Sequence, residues 1–354
     1  MTHDVEAVHD LAPVVDRLPG EPVPYYLASG EGRRYELDGV LWTVIARAAD
    51  TGGLFDAAYV SGGRGAEVPW HAHAVEQRSF YVFDGSVQVW LGERSRVLTR
   101  GDSLHVPPGT PLALRMLAHV TRLLTWAAPG GSLELVERLG TPVRRHVHSG
   151  RAEATTSAPQ RAEAGAPLGI TFPDAARTDA LDEWDAELPQ GVRPYFLRLG
   201  EGDRRETGES LNTYLTRGAN TGGRYFAIDT LGSRSEYFVR HFHRLHTENF
   251  LCVSGRVRLH VNGREVLLTE GDFVHAPAGT IHTFAFEAHN TRMLGILTPD
   301  VFEPFFDLTG RPTELHVHPE LPADLAVDPA RLAATDLDLV VVGPPPARGR
   351  TIGG

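Results

Sequence analysis

Apolar and polar residues alternate over short stretches of this chain, as they do in β-strands that bury one face. Residues 256–261 read Arg-Val-Arg-Leu-His-Val, with the apolar side chains at every second position. Successive side chains of a strand point to opposite faces, so this period of two predicts a half-buried strand. Asn262-Gly263 follows, and this dipeptide is a strong signal for a two-residue hairpin turn. The stretch therefore predicts the first strand of a β-hairpin.

Several such short strands, separated by turn residues, predict an all-β fold. Residues 86–91 alternate in the same way and end at Gly92. Long stretches of helical periodicity are absent from these regions, and the 37 glycines and 25 prolines supply many turn positions. This pattern is typical of a β-sandwich or a barrel such as a jelly roll.

The chain contains the same pattern twice, at a constant offset of 170 residues. The matching pairs include Pro24-Tyr25 and Pro194-Tyr195, His71 and His241, Gly101-Asp102 and Gly271-Asp272, and Thr121-Arg122 and Thr291-Arg292. A constant offset over such a length indicates an internal duplication. We predict an N-terminal domain at residues 1–148, a linker at 149–190, a C-terminal domain at 191–320 and a C-terminal tail at 321–354.

Three histidines and a glutamate with the spacing of metal ligands stand in the second copy. His241 and His243 are two positions apart, which places both on one face of a strand. Glu248 follows seven positions after His241, and His282 follows a Pro-x-Gly turn. Three imidazoles and a carboxylate suit Fe, Mn, Co, Ni, Cu or Zn and leave room for water, substrate or O₂. The residues do not choose among these metals.

Two segments of the second copy resemble the two cupin motifs, G-x₅-H-x-H-x₃₋₄-E-x₆-G and G-x₅-P-x-G-x₂-H. At the metal positions they match over residues 241–255 and 271–282. The resemblance implies two tandem cupin domains, which are jelly-roll β-barrels, related by the duplication. It also implies which residues bind a metal in the second domain: His241, His243, Glu248 and His282.

The first copy departs from the motifs at two of the four positions. Arg78 stands where the second copy has Glu248, and Leu112 stands where it has His282. A guanidinium has no lone pair for a metal and repels a cation, and an aliphatic side chain offers no ligand atom. Glu76 could supply a carboxylate only from a shifted strand, and one histidine would still be missing. We therefore predict that the first domain has lost its metal site.

Further segments resemble the bicupin quercetin 2,3-dioxygenases, a family of flavonol dioxygenases, over roughly residues 20–150 and 190–320. They are the Pro-Tyr-x-Leu-x-x-Gly-Glu-Gly opening of both halves, the His-x-x-His-Thr-Glu run at 243–248 and Phe-Glu-Pro-Phe-Phe at 302–306. The resemblance implies an O₂-using, ring-cleaving dioxygenase acting on a flavonol or a related enolic or phenolic aromatic. It implies one divalent transition metal per chain, which could be Fe, Mn, Ni, Co or Cu. The products would be carbon monoxide and a depside.

In such enzymes the flavonol hydroxyl binds the metal as an anion, and a glutamate takes its proton. Glu248 would then be both a metal ligand and the catalytic base. His246 could be a hydrogen-bond partner of the ligands or a surface or turn histidine. Tyr195 and Tyr225 could line the pocket or fill the core.

Two other functions remain open at this point. One is a metal-dependent isomerase, decarboxylase or hydrolase, in which the metal is only a Lewis acid. The other is a non-catalytic binding or storage bicupin. Metal content and the effect of removing O₂ would separate the three hypotheses.

Charge and cysteine content narrow the partners and the location. The formal net charge of −11 argues against nucleic-acid and anionic-membrane partners, which need a basic surface. The single Cys252 excludes an internal disulfide and lies in an apolar run. The N-terminal residues do not resemble a signal peptide, so we expect a cytoplasmic protein whose partners are a small aromatic substrate and O₂. A homodimer is one possible assembly.

Overall fold

The computed structural model describes residues 5–150, 155–178, 180–319 and 335–347, and β-strands are its main regular structure. The predicted all-β class is confirmed. Strands of the first part of the chain are β1 (Val14–Val15), β2 (Tyr25–Leu27), β3 (Arg33–Leu37), β4 (Val40–Ala46), β5 (Asp56–Gly62), β6 (Glu67–His73), β7 (Gln77–Asp84), β8 (Ser86–Leu91), β9 (Arg94–Thr99), β10 (Ser103–Val106), β11 (Leu112–Met116), β12 (Thr121–Ala128), β13 (Thr141–Pro142) and β14 (Ile170–Thr171).

The strands from β15 to β26 follow one another in the same order as those from β2 to β13, although β19 is shorter than β6. They are β15 (Tyr195–Leu197), β16 (Asp203–Thr207), β17 (Ser210–Thr216), β18 (Phe226–Gly232), β19 (Arg240–Phe242), β20 (Thr247–Ser254), β21 (Val257–Val261), β22 (Arg264–Leu268), β23 (Phe273–Ala276), β24 (His282–Phe286), β25 (Thr291–Thr298), β26 (Arg311–Pro312) and β27 (Val340–Gly343).

The helices are short. The α-helices are α1 (Ala48–Thr51), α2 (Glu134–Leu139), α3 (Ala158–Gly165), α4 (Gly218–Thr221) and α5 (Glu303–Thr309). Among the described residues, 3₁₀ segments cover Val5–Asp10, Ala166–Leu168 and Asp300–Phe302. None of the described helices has the length and hydrophobicity that a membrane crossing requires.

The chain forms two compact units. The N-terminal unit consists of Gly30–Gly202 and Gly218–Arg224, and the C-terminal unit of Met1–Ser29, Asp203–Arg217 and Tyr225–Gly354. The N-terminal unit has one sheet in the order β13-β3-β4-β5-β12-β7-β10-β15 and another in the order β14-β6-β11-β8-β9. The C-terminal unit has sheets in the orders β1-β2-β23-β20-β25-β18-β17-β16-β26 and β22-β21-β24-β19-β27. The predicted domain boundaries at 148, 190 and 320 remain a prediction.

The opening strand of each repeat belongs to the unit built mainly from the other repeat. β2 pairs with β23, with Tyr25 opposite His275, inside the C-terminal unit. β15 pairs with β10, with Tyr195 opposite His105, inside the N-terminal unit. Each unit therefore completes its larger sheet with a strand supplied by the start of the other repeat.

The predicted hairpin at Asn262-Gly263 is confirmed. β21 and β22 pair in antiparallel fashion, and Val261 lies opposite Arg264 on either side of the two turn residues. Asn262 and Gly263 have φ values of 43° and 79°, the positive pair that a type I′ turn requires. The apolar side chains of β21 are fully buried in a cluster that also contains Cys252. The alternating pattern thus describes a strand with its apolar face in the core.

Candidate metal centre

Strands of both sheets of the C-terminal unit bring the predicted ligands together. β19 and β24 pair so that His241 lies opposite His282, and the centroids of their rings are 4.5 Å apart. His243 directly follows the end of β19. Glu248 is the second residue of β20, and its side chain is buried. The structure therefore collects all four sequence-predicted residues at one place.

The nitrogen and oxygen atoms of these side chains converge. The potential ligand atoms of His241, His243 and His282 lie within 4.8 Å of one another, and so do those of His243, His246 and Glu248. Oε2 of Glu248 is 3.0 Å from Nε2 of His282, and Oε1 is 3.5 Å from Nε2 of His243. Spacings of this size are short enough for one cation to reach several of the atoms.

The three predicted histidine ligands are held in the same tautomer. Nδ1 of His241 is 2.9 Å from the Val239 carbonyl oxygen, and Nδ1 of His282 is 2.9 Å from the Thr280 carbonyl oxygen. Nδ1 of His243 is 2.7 Å from the carbonyl oxygen of Asp338. A carbonyl oxygen can only accept, so each Nδ1 carries the proton and each Nε2 keeps its lone pair. Metal-binding histidines usually show this arrangement.

Burial keeps the imidazoles of His241 and His243 neutral, whereas the neighbouring imidazoles keep the carboxylate of Glu248 charged. Desolvation, with a further contribution from His282, lowers the pKa of His241 to about 4. Desolvation also holds the pKa of His243 well below its ordinary value. Burial alone would raise the pKa of Glu248, but the neighbouring imidazoles bring it well below its usual range. Neutral imidazoles and an ionised carboxylate are the forms that bind metal ions.

The donor set fits a bound divalent cation. Nε2 of His243 and Nε2 of His246 are buried and have no hydrogen-bond partner among the described residues. A buried nitrogen lone pair without a partner is costly, and a metal ion would satisfy it. Three imidazole nitrogens and one carboxylate oxygen are suitable ligands for Fe, Mn, Co, Ni, Cu or Zn.

His246, which the sequence left open, lies inside this cluster. Its side chain is buried, and its ring centroid is 3.9 Å from that of His243. Its Nδ1 is 2.8 Å from Oδ2 of Asp338, and its Nε2 is 3.5 Å from Oε1 of Glu248, longer than a normal hydrogen bond. Burial alone would lower the pKa of His246, but the two carboxylates raise it above the ordinary value.

Asp338 and Phe302 are the neighbours that sequence reasoning missed. Asp338 lies in the predicted tail, outside both motifs and 92 positions from His246. The Phe302 ring stacks on His246 at a centroid distance of 5.0 Å and packs 4.8 Å from His243. Phe302 stood within the Phe-Glu-Pro-Phe-Phe segment, which was a usable signal. Asp338 had none.

The two tyrosines that could have lined the pocket are core residues. Tyr195 and Tyr225 are 1% and 0% exposed. Tyr195 lies on β15 in the N-terminal unit, where its ring stacks on His105. Neither side chain contributes to the two groups of metal-capable atoms described above.

The corresponding place in the N-terminal unit has different contacts. His71 lies opposite Leu112, and its Nδ1 is 2.8 Å from the Pro69 carbonyl oxygen. Nδ1 of His73 is 3.0 Å from Oε2 of Glu76. The buried Arg78 donates from Nη2 to Ser132 Oγ at 2.7 Å. Among the residues that the structure describes in this unit, no group of three or more side chains has metal-ligand geometry. The loss of this metal site remains a prediction.

Comparisons with known proteins point in one direction. The sequence family described as the cupin domain matches residues 60–120 and 231–296 of this chain. The chain is 37% identical over 330 residues to a quercetin 2,3-dioxygenase of Bacillus subtilis (strain 168), covering 92% of this chain and 98% of that protein. It is 30% identical over 132 residues to a quercetin 2,3-dioxygenase of Aspergillus japonicus, covering 35% of this chain and 38% of that protein.

Solved structures support the fold. A structure of oxalate decarboxylase from Bacillus subtilis, described by its Mn(II) centres, has a TM-score of 0.52 and 16% sequence identity to this chain. The match covers 82% of this chain and 79% of that one. At this identity the likeness concerns the tandem architecture alone.

Proposed function

Because the chain belongs to the quercetin 2,3-dioxygenase family of two-domain cupins, we propose that it is a metal-dependent dioxygenase of flavonols or related enolic or phenolic aromatics. The reaction would use O₂ to open the heterocyclic ring, giving a depside and carbon monoxide. The observation that carries the proposal is the largely buried cluster of three histidines and Glu248 in a chain 37% identical to such an enzyme over 92% of its length.

We assign one divalent transition metal per chain to His241, His243, Glu248 and His282. The assignment is supported by the Nδ1–H groups that the carbonyl oxygens hold, since they leave each Nε2 free to bind. Fe, Mn, Ni, Co and Cu all suit this donor set. When bound, the metal would supply a Lewis acid that favours the deprotonated form of a substrate hydroxyl.

Glu248 is the residue that would take the substrate proton. Its carboxylate is ionised and lies between His282 on one side and His243 and His246 on the other. Its pKa lies well below the usual range, and the buried position keeps bulk water away from the transferred proton. A hydroxyl group on an aromatic ring, placed against Oε1 or Oε2, would transfer its proton to Glu248 before the ring reacts with O₂.

The phenylalanines beside the cluster suit an aromatic substrate. Phe302 packs against His243 and His246, and Phe305 stacks on Phe302 at a centroid distance of 4.8 Å with the rings 11° from parallel. Flat apolar side chains next to a polar centre favour a flat ligand with a hydroxyl group at one edge.

The test is oxygen uptake by the metal-loaded full chain with a panel of flavonols and other enolic aromatics. We expect O₂ consumption and carbon monoxide release in equal amounts with at least one flavonol, and no turnover of that flavonol without O₂. Turnover that is unchanged under anaerobic conditions would contradict the dioxygenase and favour a Lewis-acid isomerase, decarboxylase or hydrolase. A chain that binds no metal even after supplementation would contradict both and favour a non-catalytic binding protein.

A further inference from the structure

A short segment near the C-terminus covers the metal-binding edge of the C-terminal unit. We call residues 335–347 the strap. Its strand β27 pairs in antiparallel fashion with β19, the strand that carries His241, with Val341 opposite His241 and Val340 opposite Phe242. The strap therefore adds an outer strand to the sheet at the place where the candidate ligands converge.

Asp338 of the strap is buried and bonds to the turn between β19 and β20. Its Oδ1 accepts from the backbone N–H of Arg244 at 2.8 Å. Its Oδ2 accepts from the backbone N–H groups of Leu245 at 2.8 Å and His246 at 3.1 Å. One carboxylate thus accepts three consecutive backbone donors, so the course of residues 244–246 depends on it.

The same residue also holds two imidazoles. Oδ2 of Asp338 accepts from Nδ1–H of His246 at 2.8 Å, and the Asp338 carbonyl oxygen accepts from Nδ1–H of His243 at 2.7 Å. Nε2 of each ring is then turned toward Oε1 of Glu248, at 3.5 Å from both. Asp338 therefore sets the direction of the two imidazoles that face one carboxylate oxygen of the candidate base.

The Nδ1 contact of His243 differs from those of the other two histidine ligands. His241 and His282 are held by carbonyl oxygens two positions earlier in the chain, at Val239 and Thr280. His71, the counterpart of His241, is held in the same way by Pro69. His243 instead depends on a residue 95 positions away. The Nδ1 bond of His243 therefore depends on the strap, whereas the Nδ1 bonds of His241 and His282 do not.

We infer that Asp338 is a positioning residue of the metal centre, which acts through His243 and His246 to fix the arrangement of ligands around Glu248. This inference rests on the ligand set of the proposed function and deepens it. It assigns the strap a part in the site rather than only in holding the fold together.

The test is Co²⁺ binding by the full chain, without flavonol, followed by the visible ligand-field spectrum of the Co²⁺-saturated protein. We expect Asp338→Ala to weaken Co²⁺ affinity about 10-fold to 100-fold, the usual effect of losing a hydrogen-bond partner of metal ligands. We also expect the spectrum at saturation to change, because the ligands themselves shift. Asp338→Asn, which keeps an acceptor oxygen, should restore most of the affinity and the spectrum.

The matched control is Asp336→Ala. Asp336 is an exposed carboxylate of the same strap, and it accepts a hydrogen bond from the Asp338 backbone amide at 3.1 Å. The Asp336→Ala substitution should leave the Co²⁺ spectrum unchanged. A double variant of Asp338→Ala with His246→Gln should be little worse than Asp338→Ala alone, because Asp338→Ala already removes the hydrogen bond to the His246 ring.

A purely structural role gives a different result. An Asp338→Ala chain with a lower Tm but an unchanged affinity and an unchanged saturated spectrum would overturn the inference. Where Asp338→Ala does not fold, His246→Gln is the test, and an unaltered Co²⁺ affinity and an unaltered saturated spectrum in that variant would overturn the inference. A wild-type chain that binds Co²⁺ but consumes no O₂ contradicts the proposed activity only, so the two failures are distinguishable.

Discussion

The two repeats use one backbone arrangement for two different sets of side chains. His71 lies opposite Leu112 in the first repeat, and His241 lies opposite His282 at the same register in the second. Both His71 and His241 bond through Nδ1 to the carbonyl oxygen two positions earlier, at 2.8 and 2.9 Å. The scaffold for a ligand is therefore present twice.

What differs is the chemistry at two positions. The second repeat has Glu248 and His282, whereas the first has Arg78 and Leu112. Arg78 bonds to Ser132, and beside it a cavity opens onto His71 and His73 with apolar walls that include Trp42. The two repeats thus share the strand register and the first histidine, while two substitutions put a guanidinium and an aliphatic side chain where the second repeat has a carboxylate and an imidazole.

The largest contrast is expected from removing one histidine in each repeat. His241→Ala should abolish metal binding and O₂ consumption, and His282→Ala should do the same, because each removes a ligand. His71→Ala, the matched change in the first repeat, should leave both intact. Metal content per chain after each substitution is the measurement. A content near two in the unmutated protein would contradict the asymmetry.

The next largest effect, a fall in kcat, is expected from removing the charge of Glu248, the proposed base. Glu248→Gln keeps the size of the side chain but removes its charge, and we expect kcat to fall about 10²-fold to 10⁴-fold, the usual share of general base catalysis. Glu76→Gln is the control, since it makes the same change to the carboxylate that contacts His73 in the first repeat. Steady-state O₂ uptake measures both variants. Equal rates for Glu248→Gln and the unmutated chain would exclude Glu248 as the base.

A smaller effect, a gain in metal content, is expected from rebuilding the metal site of the first repeat. Arg78→Glu combined with Leu112→His places all four motif residues on the conserved register, so the metal content should rise from about one toward two per chain. Leu112→His alone, which leaves the guanidinium in place, should add none. A double variant that stays at one would show that these two substitutions are not the whole difference between the two sites.

The smallest expected effect is on how the free energy of unfolding changes with pH. Desolvation lowers the pKa of His71 to about 3, and of His105, also in the N-terminal unit, to about 3. The unfolded chain binds these protons near pH 6.5, so the folded state loses stability as the pH falls from 6.5 toward 3. Each residue contributes at most about 2 kcal/mol between pH 6.5 and 5. Urea unfolding at several pH values should show that the free energy of unfolding depends less on pH in His71→Gln than in the unmutated chain. An equal pH dependence in the two chains would contradict the contribution of His71.

Much of the architecture could be predicted from the sequence because its signals are local. The alternation at residues 256–261 and the Asn262-Gly263 turn depend on near neighbours, and both gave the observed hairpin. The constant offset between repeats predicted two similar units. Period-two geometry predicted that His241 and His243 share a face of one strand. The resemblance to the cupin motifs implied Glu248 and His282, which the structure brings to the same place.

Tertiary structure alone decided the rest. The openings of the two repeats are so alike that local sequence cannot say whether β2 pairs with β10 or with β23, and folding chose β23. Asp338 carries no motif, and its bonds to His243 and His246 arise only when a strand from the tail reaches β19. Pairings over such separations depend on which distant surfaces meet and exclude water together, a property that neighbouring residues do not encode.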